Sequence, residues 1–162
     1  MAAVRLGRRL PAGVHLAIVG GGPLEDQVRA AAAAAPGVTL AGERTDAPTL
    51  IAAADLLVST SRTEGAPGVF VEALLAGVPV VAHNLGGVRD VISEDTGALV
   101  PPGDDELKAR AVTGLASDPE LLRRASAAAL EAGARHGIGP VAGAYADLFD
   151  ELLTGRGRRG AA

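Results

Sequence analysis

Two carboxylates flank the start of a predicted helix near the middle of the chain. Glu64 lies in a turn, and Glu72 follows eight positions later inside the helix. Pro67 suits the first helical position between them, because the N–H that proline lacks would be unpaired there anyway. A helix start attracts phosphate through its unpaired N–H groups and its dipole, and carboxylates accept hydrogen bonds from hydroxyls. The arrangement predicts a site for a diphosphate with hydroxyls on both sides, as in a nucleotide sugar.

The elements around this helix predict an α/β fold. Apolar residues 56–58 form a strand end before the turn, and Gly77 with Pro79 ends the helix. The other predicted strands are 14–19, 38–40, 55–59, 78–83 and a short one after Thr96. The other predicted helices are 24–35, 49–54, 88–92, 106–117, 119–134 and 141–153. Alternating strands and helices predict a Rossmann-like parallel sheet with helices on both faces.

Composition bounds the class of protein. The 162 residues are 48% hydrophobic but only 2% aromatic, which predicts one globular domain with an aliphatic core. The net charge of −4 and the few aromatic residues argue against nucleic-acid binding. There is no cysteine, and the three histidines have no ligand-type spacing, so no metal site is expected. No apolar run is long enough to span a membrane.

Three consecutive glycines, residues 20–22, follow the first predicted strand. A dinucleotide fingerprint needs glycine at its first, third and sixth positions, but Glu25 occupies the sixth. A NAD site is therefore not expected. Glycine here indicates that the backbone approaches a ligand closely, without a side chain between them.

Several motifs together resemble the donor site of the family 4 (group 1) retaining glycosyltransferases, which have the GT-B fold. These motifs, in chain order, are Gly-Gly-Gly-Pro-Leu-Glu from Gly20, Leu-Ala-Gly-Glu-Arg from Leu40, Glu64-Gly65, Glu72-Ala73, Gly-Val-Pro-Val-Val from Gly77, Gly86-Gly87, and Thr-Gly-Ala-Leu-Val-Pro-Pro-Gly-Asp from Thr96. Two positions depart from the family pattern: Leu40 stands where an aromatic residue is common, and Asp90 replaces a glutamate.

The resemblance implies the C-terminal, donor-binding half of a GT-B enzyme. It implies a nucleotide-sugar-binding domain at 14–153. The residues on either side predict an N-terminal helix tail at 1–13 and a disordered, Gly- and Arg-rich basic tail at 154–162. Glu64 is then the catalytic residue and contacts hydroxyls of the sugar, while Glu72 accepts from the ribose hydroxyls. The other implied donor-binding residues are Gly21, Gly22, Arg44, Gly65, Gly68, Val69 and Phe70. No cofactor is expected, since the nucleotide sugar is the donor substrate.

The expected partner is an N-terminal acceptor-binding domain or a partner chain. In the family, an arginine and a lysine that clamp the diphosphate lie upstream of this region, whereas the only lysine here is Lys108. We therefore expect weak or no transfer by this chain alone. The expected location is the cytoplasm, with peripheral membrane association left open. We also expect an exposed apolar flank, at the strand 14–19 and on the last helix from Tyr145 to Leu152, with self-association or modest stability as its result.

Two alternatives remain open. One is a non-catalytic nucleotide-sugar-binding fragment, or a subunit of a split glycosyltransferase. The other is a sugar-nucleotide 2-epimerase, which shares the GT-B fold but is disfavoured by the Glu-Gly and Glu-Ala motifs.

Overall fold

The computed structural model describes residues 1–65 and 67–154. Its elements in chain order are α1 (Ala2–Gly7), β1 (Leu16–Val19), α2 (Glu25–Ala33), β2 (Val38–Gly42), α3 (Ala47–Ala52), β3 (Leu57–Val58), α4 (Gly68–Leu75), β4 (Val80–His83), α5 (Gly86–Arg89), β5 (Gly97–Val100), α6 (Asp105–Ser117), α7 (Pro119–His136) and α8 (Ile138–Thr154). Thr154 ends a helix, and the rest of the predicted basic tail lies outside the described residues.

The strands form two parallel sheets, where the sequence predicted one. β1 pairs with β2, and β4 lies between β3 and β5. Within residues 1–65 and 67–154, no ladder of hydrogen bonds joins β1 to β3, and this divides the sheet. Parallel strands flanked by helices confirm the predicted α/β, Rossmann-like class.

The core is centred on β4, which is buried along its whole length. Successive strand residues point to opposite faces. Val80 accordingly packs in a cluster with Phe70 and Leu74 of α4, while Val81 packs in a second cluster with Val112 of α6. Helices on both faces thus explain why an unbroken apolar run forms this strand.

Helix α1 connects the two halves of the molecule. Its Val4 and Leu6 are buried. Arg5 Nε donates to Asp105 Oδ2 of α6 at 3.0 Å, and Arg8 Nη2 donates to the carbonyl oxygen of Ala31 in α2 at 3.3 Å. The helix predicted at the N-terminus therefore packs against both halves.

Helix boundaries follow local chemistry. The sequence allows either Asp104 or Asp105 to cap α6, and the structure has Asp104 accepting from the backbone N–H of Leu107 at 2.8 Å. Pro67 was predicted to be the first helical residue but is the N-cap, because its ψ of 114° is extended. Helix α3 begins at Ala47, two residues before the predicted start, with Pro48 in its first turn. Strand β3 is reduced to Leu57–Val58.

Helix α8 has no buried residue. Its Tyr145, Leu148, Phe149 and Leu152 are 58%, 46%, 57% and 64% exposed, which confirms the expected exposed apolar face. No helix in the described residues is both long and apolar enough to cross a bilayer.

Candidate functional site

The candidate site lies where the strands end. Carboxyl ends of parallel strands share one edge of a sheet, and the loops that leave this edge commonly bind ligands. The loop from Ser59 to Pro67 follows β3, and the turn at Asn84 and Leu85 follows β4. The backbone N–H of Asn84 donates to the carbonyl oxygen of Val100 at 2.7 Å, which ties the β4 and β5 ends together.

The N-terminus of α4 presents backbone donors to solvent. No side chain caps this eight-residue helix at Pro67. The N–H of Phe70 already donates to the carbonyl oxygen of Pro67 at 3.1 Å, in the tighter pattern common at helix ends. Gly68 and Val69, both exposed, are therefore the better placed of the three predicted phosphate-binding N–H groups. The Phe70 ring, only 1% exposed, anchors the helix in the core.

The two predicted carboxylates lie on either side of this N-terminus in the chain. Glu64 is half-buried in the loop, and Glu72 is exposed on α4. No ion pair in the described part of the chain engages either carboxylate. Both can therefore accept hydrogen bonds from hydroxyl groups of a ligand.

Gly87 of α5 supports the loop that carries Glu64. A Cβ built on Gly87 would overlap the carbonyl oxygen of Gly65. Only glycine therefore allows the loop to lie this close to the helix. Gly86, the neighbouring residue, has open space where a Cβ would be.

A buried lysine and a buried histidine form hydrogen bonds with backbone carbonyl groups of the same loop. Lys108 of α6 is 1% exposed, and His83 at the end of β4 is 5% exposed. Lys108 Nζ donates to the carbonyl oxygen of Ser59 at 2.8 Å and lies 2.8 Å from His83 Nε2. His83 Nδ1 lies 2.6 Å from the carbonyl oxygen of Ser61. Burial lowers the pKa of Lys108 to about 8, against a smaller opposing effect of the Asp105 carboxylate.

The predicted glycine loop lies at the end of β1. Gly20 and Gly22 have φ of 126° and 143°, values that disfavour any side chain, and a Cβ on either would meet open space. The N–H of Gly20 donates to the carbonyl oxygen of Gly42 at 2.7 Å. A Cβ on Gly21 would lie 3.6 Å from Glu43 Cβ. The glycine loop and the end of β2 are therefore adjacent.

Arg44, a predicted donor-binding residue, is already paired. Its Nε and Nη2 donate to the two carboxylate oxygens of Asp46 at 2.8 and 2.6 Å. This exposed bidentate pair lowers the pKa of Asp46, chiefly through the hydrogen bond, and raises that of Arg44. Arg44 can contact a ligand either while it remains paired with Asp46 or after the ligand has replaced Asp46 as its partner.

The predicted residues therefore fall into two groups, one on each sheet. Gly21, Gly22 and Arg44 follow β1 and β2, whereas Glu64, Gly65, Gly68, Val69, Phe70 and Glu72 follow β3. No hydrogen bond between described residues joins the two groups directly. The described residues also hold no group of three or more side chains arranged to bind a metal.

Sequence reasoning did not assign a site role to His83, Lys108 or Gly87. Two signals were present: His83 ends an otherwise apolar run, and Lys108 is the only lysine in the chain. Their pairing across 25 positions is visible only in the fold.

Similarity to known proteins agrees with this geometry. The family model "Glycosyl transferases group 1" matches residues 1–118. The 2-deoxystreptamine N-acetyl-D-glucosaminyltransferase of Streptomyces fradiae is 34% identical over 124 residues, which are 73% of this chain and 30% of that protein. The lipopolysaccharide core biosynthesis mannosyltransferase LpsB of Rhizobium meliloti is 32% identical over 145 residues, or 87% and 40%.

A solved structure shows the same likeness. Anabaena Alr3699/HepE in complex with UDP superposes with a TM-score of 0.84 at 25% identity, over 93% of this chain and 44% of that one. The chain thus spans less than half the length of each of these three proteins. Its fold is that of GT-B glycosyltransferases, and by its family match this chain belongs to the group 1 glycosyltransferases.

Proposed function

We propose that this chain is the C-terminal, donor-binding domain of a family 4 retaining glycosyltransferase and binds a nucleotide-diphosphate sugar. The observation that carries the proposal is the open N-terminus of α4 between two carboxylates that have no protein partner in the described residues. Family membership and the UDP bound to Alr3699/HepE support it. A cytoplasmic location is part of the same proposal.

The residues then have distinct roles. The N–H groups of Gly68 and Val69 face the diphosphate, where the helix dipole favours negative charge. Glu72 accepts from the ribose hydroxyls, and Glu64 accepts from hydroxyls of the transferred sugar. Gly21 and Gly22 let the backbone of the other sheet approach the same ligand.

Transfer follows from stabilising the leaving group. As the bond between the sugar's anomeric carbon and the diphosphate oxygen breaks, negative charge develops on that oxygen. The backbone N–H donors at the N-terminus of α4 are fixed in place and stabilise this charge without reorganising. The acceptor hydroxyl adds to the anomeric carbon on the face that the diphosphate leaves, and its proton passes to the departing phosphate. No protein nucleophile is required.

Calorimetry on two variants tests the assignment. Charge-assisted hydrogen bonds contribute on the order of 1.5–3 kcal/mol each. Glu72→Ala should therefore weaken binding of UDP and of a UDP-sugar alike, by tenfold or more. Glu64→Ala should weaken binding of the UDP-sugar and leave UDP almost unchanged. Glu131→Ala, on the exposed face of α7, is the matched control.

Two outcomes would contradict the proposal. Unchanged UDP affinity in Glu72→Ala would remove the ribose role. Equal losses of UDP and UDP-sugar in Glu64→Ala would mean that the two glutamates are assigned wrongly.

A second candidate is a subunit of a split glycosyltransferase, whose acceptor-binding half is a separate chain. The exposed apolar face of α8, from Tyr145 to Leu152, favours it, because such faces mark interaction sites. Glycosyl transfer measured on this chain alone, and then with added candidate partners, separates the two. Transfer by the chain alone would exclude the second candidate.

A further inference from the structure

Lys108 and His83 form a buried polar chain beneath the loop from Ser59 to Gly65. A carbonyl oxygen only accepts, so His83 Nδ1 must carry the proton that it shares with Ser61. Its Nε2 then has a free lone pair and accepts from the Lys108 ammonium. Lys108 also donates to Ser59, so two carbonyl oxygens two positions apart are held by connected side chains.

We propose that Lys108 and His83 are positioning residues for the loop that carries Glu64, and that protonation of His83 releases this loop. Both held carbonyl groups lie just upstream of Glu64. Gly87 supports the loop just downstream, at Gly65. The loop is thus tied by hydrogen bonds upstream of Glu64 and packs closely against α5 downstream of it. The loop's effect on ligand binding rests on the proposed function, but its positioning does not.

The geometry makes the response to acid specific. A protonated imidazole carries N–H on both nitrogens, so Nε2 would turn a hydrogen towards the Lys108 ammonium. Two positive charges would then lie 2.8 Å apart in a buried site, where repulsion is poorly screened, so uptake of the proton is coupled to opening of the site to water. Histidine is the side chain that changes charge near neutral pH.

Neighbouring charges do not offset this repulsion. On α6 itself, Asp105 attracts Lys108, but it is also paired with Arg5 of α1. Arg9, which follows α1, faces Glu106. Strand β5 has no titratable side chain, and the charged side chains of α7 are exposed. In the described residues no carboxylate contacts His83.

The response to alkali is different. When Lys108 loses its proton, the neutral amine keeps two N–H bonds, which suffice for Ser59 and His83. Both hydrogen bonds therefore persist at high pH, and the loop is released only when the pH falls.

A titration without ligand tests the positioning. Amide NMR of the labelled full chain, taken from pH 7.5 to 5, should show Ser61 and Gly65 shifting with the midpoint of the His83 ring. In His83→Gln this shift should vanish, and in His136→Gln it should persist. Loop amides that stay fixed while the ring titrates, or that shift equally in His83→Gln, would overturn the proposal.

Binding of a UDP-sugar tests the consequence, because Glu64 is assigned to the sugar and not to UDP. At pH 7.5, Lys108→Met should bind the UDP-sugar about fivefold more weakly, the equivalent of one hydrogen bond, with UDP almost unchanged. Arg110→Met, an exposed change on the same helix, should bind like the parent. A folded Lys108→Met protein that matches the parent would overturn the positioning role. If the parent binds neither UDP nor the UDP-sugar while the loop amides still shift with His83, the proposed function fails and the positioning stands.

Discussion

Gly87→Ala should displace the loop of the candidate site while leaving the fold intact. The new Cβ would overlap the carbonyl oxygen of Gly65, so the two must separate by roughly 1 Å or more. Helix α5 follows closely on the fully buried strand β4, which limits its movement, whereas the loop at Gly65 is exposed. The loop is therefore the part that moves, and Glu64 moves with it.

The size of the effect follows from two opposing terms. Alanine in a helix is favoured over glycine by about 1 kcal/mol. Overpacking costs about 1–3 kcal/mol when the surroundings are rigid, and less when a loop can yield. We therefore expect the unfolding free energy to change by no more than about 2 kcal/mol. Binding of the sugar should suffer more, because displacing Glu64 by about 1 Å breaks charge-assisted hydrogen bonds that contribute on the order of 1.5–3 kcal/mol each.

The assay compares Gly87→Ala with Gly86→Ala. Gly86 lies in the same helix and has open space for a Cβ, so its variant shares the change in helix propensity without the clash. Calorimetry should show UDP-sugar binding at least tenfold weaker for Gly87→Ala and unchanged for Gly86→Ala. Equal affinities for the two variants would refute the argument that Gly87 sets the loop position.

Three further predictions concern stability and association. Because the pKa of Lys108 is lowered to about 8 from 10.5, the unfolded chain binds the proton more tightly, so the parent should gain stability as pH rises from 8 to 10.5. This gain, at most about 3 kcal/mol, should be absent in Lys108→Met. Denaturant titrations in which the unfolding free energies of both proteins change equally with pH would contradict it. Asp104→Ala should lower the unfolding free energy by about 1 kcal/mol through loss of the α6 cap, whereas an unchanged thermal midpoint would exclude a capping role. The parent should self-associate through the exposed apolar face of α8, and Phe149→Ser should weaken this association. Sedimentation that shows a monomer at every concentration would argue against that interface.

Local signals in the sequence predicted most of the elements. Proline, glycine and aspartate at helix ends, together with the apolar run of β4, located the helices and strands to within a few residues. A cap for α6 could be predicted at Asp104 or Asp105 because capping depends on only four consecutive residues. Local patterns could not predict that the sheet divides between β1 and β3, since that depends on which strands meet in space.

For the candidate site too, residues close in the chain were predicted, whereas contacts between distant segments were not. Glu64, Glu72 and the start of α4 lie close together in the chain, so their spacing was informative. The Lys108–His83 pair and the contact of Gly87 with Gly65 join segments about 20 positions apart or more. Such contacts follow from sheet register and helix packing, which the sequence does not state locally. The bidentate bond of Arg44 to Asp46 was missed for another reason: acid and base side chains two positions apart meet only when a turn allows it.

The divided sheet has a consequence for how the molecule opens. A continuous ladder would oblige neighbouring strands to separate together, whereas β1–β2 and β3–β4–β5 share none in the described residues. What couples them is the segment from α1 to Val14. Its Arg5 and Arg9 form ion pairs with α6, its Arg8 donates to α2, and its Leu10 and Val14 pack against the cluster around Val81. The glycine-loop half can therefore unfold as a unit of its own while β4 stays protected, and the two halves should differ in amide hydrogen exchange. The two ends of a bound nucleotide sugar would then rest on units of different local stability.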